Sequence, residues 1–177
     1  MGLDMYLEAR KYVGRIDWKR VPKRNSEADA PVDFNDYLNK DFVAVKEIFP
    51  PELTAHTESG SYVAINVGYW RKANQIHGWF VREVQHGVDD CKEYPVPREK
   101  LEELLATVTE VLEGDKDTAK RLLPVTEGFF FGNYDEEDGY DKWYEEQLFH
   151  TRDVLENILN TVAKDDIDYD FYYSSSW

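Results

Sequence analysis

Hydrophobic and polar residues alternate at the start of the chain. Leu3, Met5, Leu7 and Ala9 are interleaved with Asp4, Tyr6, Glu8 and Arg10. Period two predicts a strand with one buried face. A second strand-like run, Tyr62 to Val67, opens after Gly60. A short apolar run, Asp41 to Lys46, predicts another strand, ended by Pro50-Pro51. From Tyr69 onward the period changes. Trp70, Ala73, His77, Val81 and Val84 fall on one arc at about 100° per residue, with Ile76 and Phe80 at its edge. That spacing predicts a central helix over 69–86, ending near Gly87. Leu101, Leu104, Leu105, Val108 and Leu112 predict a second helix behind Pro97, and Lys116 to Leu123 a short one. The longest helix is expected from Asp141 to Ala163, with Tyr144, Leu148, Thr151, Leu155 and Ile158 inward. Phe129-Phe130-Phe131 between glycines and the tail Ile167 to Tyr173 complete the expected strands.

This order predicts an α+β fold: an antiparallel sheet with three main helices packed on one face. The aromatic tail is expected to pair inside the sheet, since it would otherwise be exposed. With 177 residues, a single domain over 1–177 is expected. Within it, the polar segment 15–36, which holds Pro22 and Pro31, is expected to be a mobile loop.

Charge narrows the function. The formal net charge is -15. Residues 1–24 hold seven basic and three acidic side chains, so they carry +4 and the remainder -19. Such a chain repels phosphates, which argues against direct nucleic-acid binding and for basic partners. Cys91 is the only cysteine, which excludes an intrachain disulfide and a multi-thiolate zinc site. No apolar run reaches membrane-spanning length and no signal peptide opens the sequence, so a cytoplasmic protein without a membrane span is expected.

Phosphate-loop, dinucleotide-binding, metalloprotease and nucleophile-elbow motifs are all absent. Four weaker constellations remain. Trp70, Arg71, Asn74 and His77 bring together a carboxylate or phosphate clamp, a proton carrier and an aromatic wall. Against a ligand site there, Asn74 and His77 lie on or beside the apolar arc, where buried polar groups need internal partners. Arg71 lies well off that arc. His86, Asp89, Asp90 and Cys91 are metal-competent residue types, but read more simply as a helix end and a solvated turn. Glu146 and His150, one turn apart, would form an exposed metal site at most. No metal or cofactor is therefore expected. The fourth is acidic: residues 134–146 hold seven acids against Lys142. Asp135, Glu136, Glu137 and Asp138, with Tyr140 and Trp143, form a candidate partner-binding surface imitating nucleic-acid phosphates. The plainer account is an acidic helix start.

Several runs resemble a family of uncharacterised proteins encoded by bacteriophages, prophages and gut bacteria. They are Met1 to Leu7, Tyr69 to Val81, Asp89-Asp90-Cys91, Leu122-Leu123-Pro124, Gly128 to Gly132 and Phe171 to Trp177. The resemblance implies a phage-type accessory protein acting in the bacterial host, and no catalytic residue. The expected function is thus an accessory binding protein that antagonises a basic host or defence protein through an acidic, aromatic-rich surface. The alternative is binding, sequestering or modifying a small polar, nucleotide-like molecule beside helix 69–86.

Overall fold

The computed structural model describes residues 2–23, 31–126 and 140–177. The chain divides into two compact units. One comprises Met1–Arg10 with Ile65–Trp177; the other is Lys11–Ala64. Among the described residues the architecture is α+β, a four-stranded antiparallel sheet with six α-helices. Strand order is β2-β1-β4-β3. The strands are β1 (Asp4–Gly14), β2 (Gly60–Arg71), β3 (Tyr94–Pro95) and β4 (Tyr169–Ser176). The tail strand lies inside the sheet as expected, between β1 and β3.

In the larger unit the alternation of β1 becomes a buried face. Leu3, Met5 and Leu7 are fully buried, while Asp4, Tyr6 and Glu8 are partly exposed. Each such leucine contributes about 2 kcal/mol of hydrophobic stabilisation. Against this face pack α3 (Asn74–Glu83), α4 (Arg98–Glu113) and α6 (Lys142–Thr161), through Ile76, Phe80, Leu104, Val108, Leu148 and Leu155. Phe171 and Tyr173 of β4 complete the core. The Asp141 carboxylate accepts from the Tyr144 amide at 3.0 Å and fixes the start of α6. Arg98, at the start of α4, donates to the carbonyls of Val162 at 2.6 Å and Leu159 at 2.9 Å. It thereby supplies partners to carbonyls that the end of α6 leaves open. Between α4 and α6 lies the short α5 (Lys116–Leu122).

The smaller unit holds a single turn of 3-10 helix, Phe34–Tyr37, then α1 (Lys40–Glu47) and α2 (Pro51–Thr54). Within the polar segment, Trp18 packs on Phe34 with ring centroids 5.5 Å apart. The Arg15 guanidinium donates to Asn35 Oδ1 at 2.9 Å.

Two elements differ from the sequence expectation. Residues 69–71 continue strand β2 rather than opening the central helix. Lys72 then turns the chain at φ +59°, its amide donating to the Leu3 carbonyl at 2.8 Å. The helix starts only at Asn74 and closes at Glu83. Trp70 satisfies both periods: it is buried by strand alternation with Gly68, and a helical wheel also places it inward. The strand-favouring aromatics Tyr69 and Trp70 and the pairing of β2 with β1 decide the outcome. Residues 41–46 form a helix, α1, rather than a strand. Asn39 caps it, its side chain accepting from the Asp41 amide at 3.0 Å. Asp41 in the first turn and Lys46 in the last suit the helix dipole. The Phe129–Phe131 strand lies outside the described residues.

Candidate functional site

His77 sits on the second turn of α3, with its ring 1% exposed. Its Nδ1 lies 2.7 Å from the Tyr173 hydroxyl on β4, and its Nε2 lies 2.9 Å from Asp89 Oδ2. With Asp89 Oδ2 accepting a hydrogen bond from the Nε2–H, Nδ1 is left to accept from the Tyr173 hydroxyl. The other carboxylate oxygen, Oδ1, accepts from the indole N–H of the terminal Trp177 at 3.1 Å. The Tyr173 ring stacks flat on Phe80, with centroids 3.9 Å apart. Burial, reinforced by the charges of Asp89 and Cys91, raises the Tyr173 phenol well above its ordinary range. It therefore remains a hydroxyl, suited to donating a hydrogen bond rather than attacking a substrate.

The four residues tie together α3, strand β4, the chain terminus and the connector that follows α3. That connector is strained. His86 at φ +55° and Cys91 at φ +57° are both left-handed, with Gly87 between them at φ +81°. Non-glycine residues held in this region cost about 1–2 kcal/mol each. The bonds of Asp89 to His77 and Trp177 offset that cost and hold the connector against the core.

Asn74 is fully buried, and its Oδ1 accepts from the Thr126 amide at 3.0 Å. Gly78 belongs to the same contact: a Cβ there would come within 2.7 Å of Thr126 Oγ1. Trp70 points into the core, its indole N–H donating to Thr151 Oγ1 at 2.9 Å. Arg71, the next residue on β2, is exposed. Trp70, Asn74 and His77 are thus each engaged internally, and Arg71 is not brought to them.

Of the acidic surface, Asp135, Glu136, Glu137 and Asp138 lie outside the described residues. Trp143 is exposed. Tyr140 is partly buried, and its hydroxyl accepts from the Val125 amide at 3.3 Å. Glu146 pairs with Lys142 at 3.3 Å, and His150 donates to the Tyr69 carbonyl at 2.9 Å. Among the described residues no cluster of three His, Cys, Asp or Glu could hold a metal ion. Nor, among them, is any helix long and apolar enough to cross a membrane.

A second arrangement occupies the outer face of the larger unit's sheet. Tyr6 on β1 and Tyr69 on β2 stand with ring centroids 5.5 Å apart. The Tyr69 hydroxyl donates to Asp4 Oδ1 at 2.5 Å, and this bond raises its pKa. Farther across, the Arg10 guanidinium lies 4.0 Å above the Tyr172 ring while paired with Glu8 and Glu93. All these side chains are exposed or partly so. Sequence reading placed Tyr6, Glu8 and Arg10 on the open side of β1. The cross-strand assembly had no signal, because it depends on the order of strands.

No family model, curated protein or solved structure matches the chain.

Proposed function

We propose that the protein is a phage-type accessory binding protein that acts in the host cytoplasm by engaging a basic host or defence protein. The observation that supports this reading is the outer face of the larger unit's sheet, where tyrosines stand beside carboxylates. Tyrosine offers a large rigid contact area at low entropic cost, and its ring attracts guanidinium and ammonium groups. Arg10 on Tyr172, flanked by Glu8, is an internal example of the contact this face makes. The Tyr6 and Tyr69 pair beside Asp4 is a second place of the same chemistry, open to a cation from outside. The charge of -15 extends the attraction beyond contact distance, and the acids at 135–138 add to it.

The reading of a small-molecule site beside 69–86 draws less support, because Trp70, Asn74 and His77 spend their polar atoms inside the fold. The test is capture from host lysate at low salt, followed by kinetics with the purified partner. Tyr6→Ala/Tyr69→Ala should speed dissociation roughly tenfold or more, as loss of aromatic anchors does. An equal dissociation rate for that variant and the wild type sinks the reading.

A further inference from the structure

At two places on the outer face of the larger unit's sheet, tyrosine stands beside carboxylate, and at one of them the chain supplies its own cation. The Arg10 guanidinium lies 4.0 Å over the Tyr172 ring and is held at its rim by Glu8 and Glu93. Alternation along β1 puts Asp4, Tyr6, Glu8 and Arg10 on the same side of the strand. The second place, made by Tyr6, Tyr69 and Asp4, therefore lies farther along that same side. Its two rings are tilted by 43° with centroids 5.5 Å apart, which leaves no room for a cation between them. A cation lies over their outward faces instead, and Tyr69 is 45% exposed. Of the Asp4 carboxylate, Oδ1 accepts from the Tyr69 hydroxyl, while Oδ2 has no partner among the described residues.

The filled place shows which cation the open one suits. A flat guanidinium stacks on a ring and at the same time donates within its own plane, as Arg10 does with Tyr172 and two carboxylates. An ammonium is compact and strongly hydrated, and gives up more hydration to reach the same ring. Charge draws the cation in: residues 1–10 and 65–177 hold 13 Lys or Arg and 27 Asp or Glu, a balance of -14. We propose that the protein holds its basic partner by an arginine side chain, stacked over the Tyr6 and Tyr69 pair and donating to Asp4 Oδ2, in preference to lysine. This rests on the reading that the face binds a basic protein, and adds which side chain it selects. Arg71 works against the contact. It is exposed two positions from Tyr69 on the outward side of β2, and its charge reaches the Tyr69 phenol.

The test is calorimetric titration of the full-length chain with an oligo-arginine peptide and an oligo-lysine peptide of equal length, in the same salt. Equal charge gives both the same general attraction, so the difference reports the guanidinium. The wild type should bind the arginine peptide about threefold tighter or more. That excess should vanish in Tyr6→Ala/Tyr69→Ala and shrink in Asp4→Asn, each with an unchanged circular dichroism spectrum. It should persist in Glu113→Gln, which removes the same charge from the exposed end of α4. Arg71→Ala should tighten the arginine peptide. Equal affinity of the wild type for the two peptides overturns the proposal. So does an excess that survives both the tyrosine variant and Asp4→Asn, one that falls as far in Glu113→Gln, or a weaker arginine peptide in Arg71→Ala. The captured partner separates the two claims. If it leaves the tyrosine variant faster while the two peptides bind alike, the face stands and the arginine selectivity falls. If the peptides show the excess and lose it in the tyrosine variant while the partner dissociates unchanged, the arginine site stands and the earlier reading falls.

Discussion

His77 Nε2 and Asp89 Oδ2 are 2.9 Å apart, and this bond joins a buried imidazole to a side chain still 24% exposed. It lies at the boundary of the core, where a polar group is desolvated but still reaches a charged partner. Removing the ring strands the Tyr173 hydroxyl and frees Asp89. His77→Ala should therefore lower stability by about 1–3 kcal/mol, from lost hydrogen bonds and a small cavity. A denaturant midpoint equal to the wild type's would show that the imidazole is not structural, and would return attention to a ligand at this place.

The phenol of Tyr173 gives a pH dependence with a definite sign. Its folded-state pKa is raised, chiefly by burial. Below the unfolded-state value, about 10, both states hold the proton and stability is at its full level. Above that value the unfolded chain ionises while the native one resists, so stability falls as pH rises. Tyr173→Phe should start less stable at neutral pH, through loss of the bond to His77. It should then decline less steeply on the alkaline side. Parallel alkaline limbs for the two proteins in denaturant titrations would contradict this assignment.

Neighbouring residues on β2 offer a sharp contrast. Trp70 is buried and bonded to Thr151; Arg71 points outward. Trp70→Ala should cost about 3–5 kcal/mol, whereas Arg71→Ala should stay within about 0.5 kcal/mol of the wild type. Comparable losses at both positions would be incompatible with strand geometry here.

These contrasts show which features could be read from the chain. The stripe of Leu101, Leu104 and Val108 and the alternation of Leu3, Met5 and Leu7 are long and single-period, and each became the expected element. Asn74 and His77 were expected to be buried, and they are. Where two periods agree over a few residues, as at Tyr69-Trp70, pattern does not distinguish strand from helix, and pairing with β1 decides. Asn39 before Asp41 was a cap signal of the ordinary kind, masked by the apolar run Phe42 to Val45. The partners of His77 were beyond reach for another reason. Asp89 reads as part of a solvated turn, and Tyr173 is 96 positions away. Only tertiary packing brings them together.

Cys91 combines an exposed thiol with a left-handed backbone. One thiol per chain should react rapidly in the native protein. Cys91→Gly should be close to neutral, since relief of the φ strain is offset by greater freedom of the unfolded chain. Cys91→Val, with a branched Cβ, should lose about 1–2 kcal/mol. A valine variant as stable as wild type would show that the connector relaxes to another conformation.

Gln85 is 1% exposed, and neither atom of its side-chain amide has a hydrogen-bond partner among the described residues. It lies just beyond α3, where its backbone amide donates to the Phe80 carbonyl at 3.0 Å. The backbone at this position is thus satisfied while the side chain is not. A buried amide without partners costs about 1–3 kcal/mol, and an apolar residue of similar length removes that cost without opening a cavity. Gln85→Met should therefore raise the denaturant midpoint, with a gain of about 1 kcal/mol. Gln85→Ala should do worse than Met, because it leaves a void. If instead Met and Ala destabilise alike, the amide must serve a polar partner, and Gln85 would join His77 and Asp89 in holding the connector.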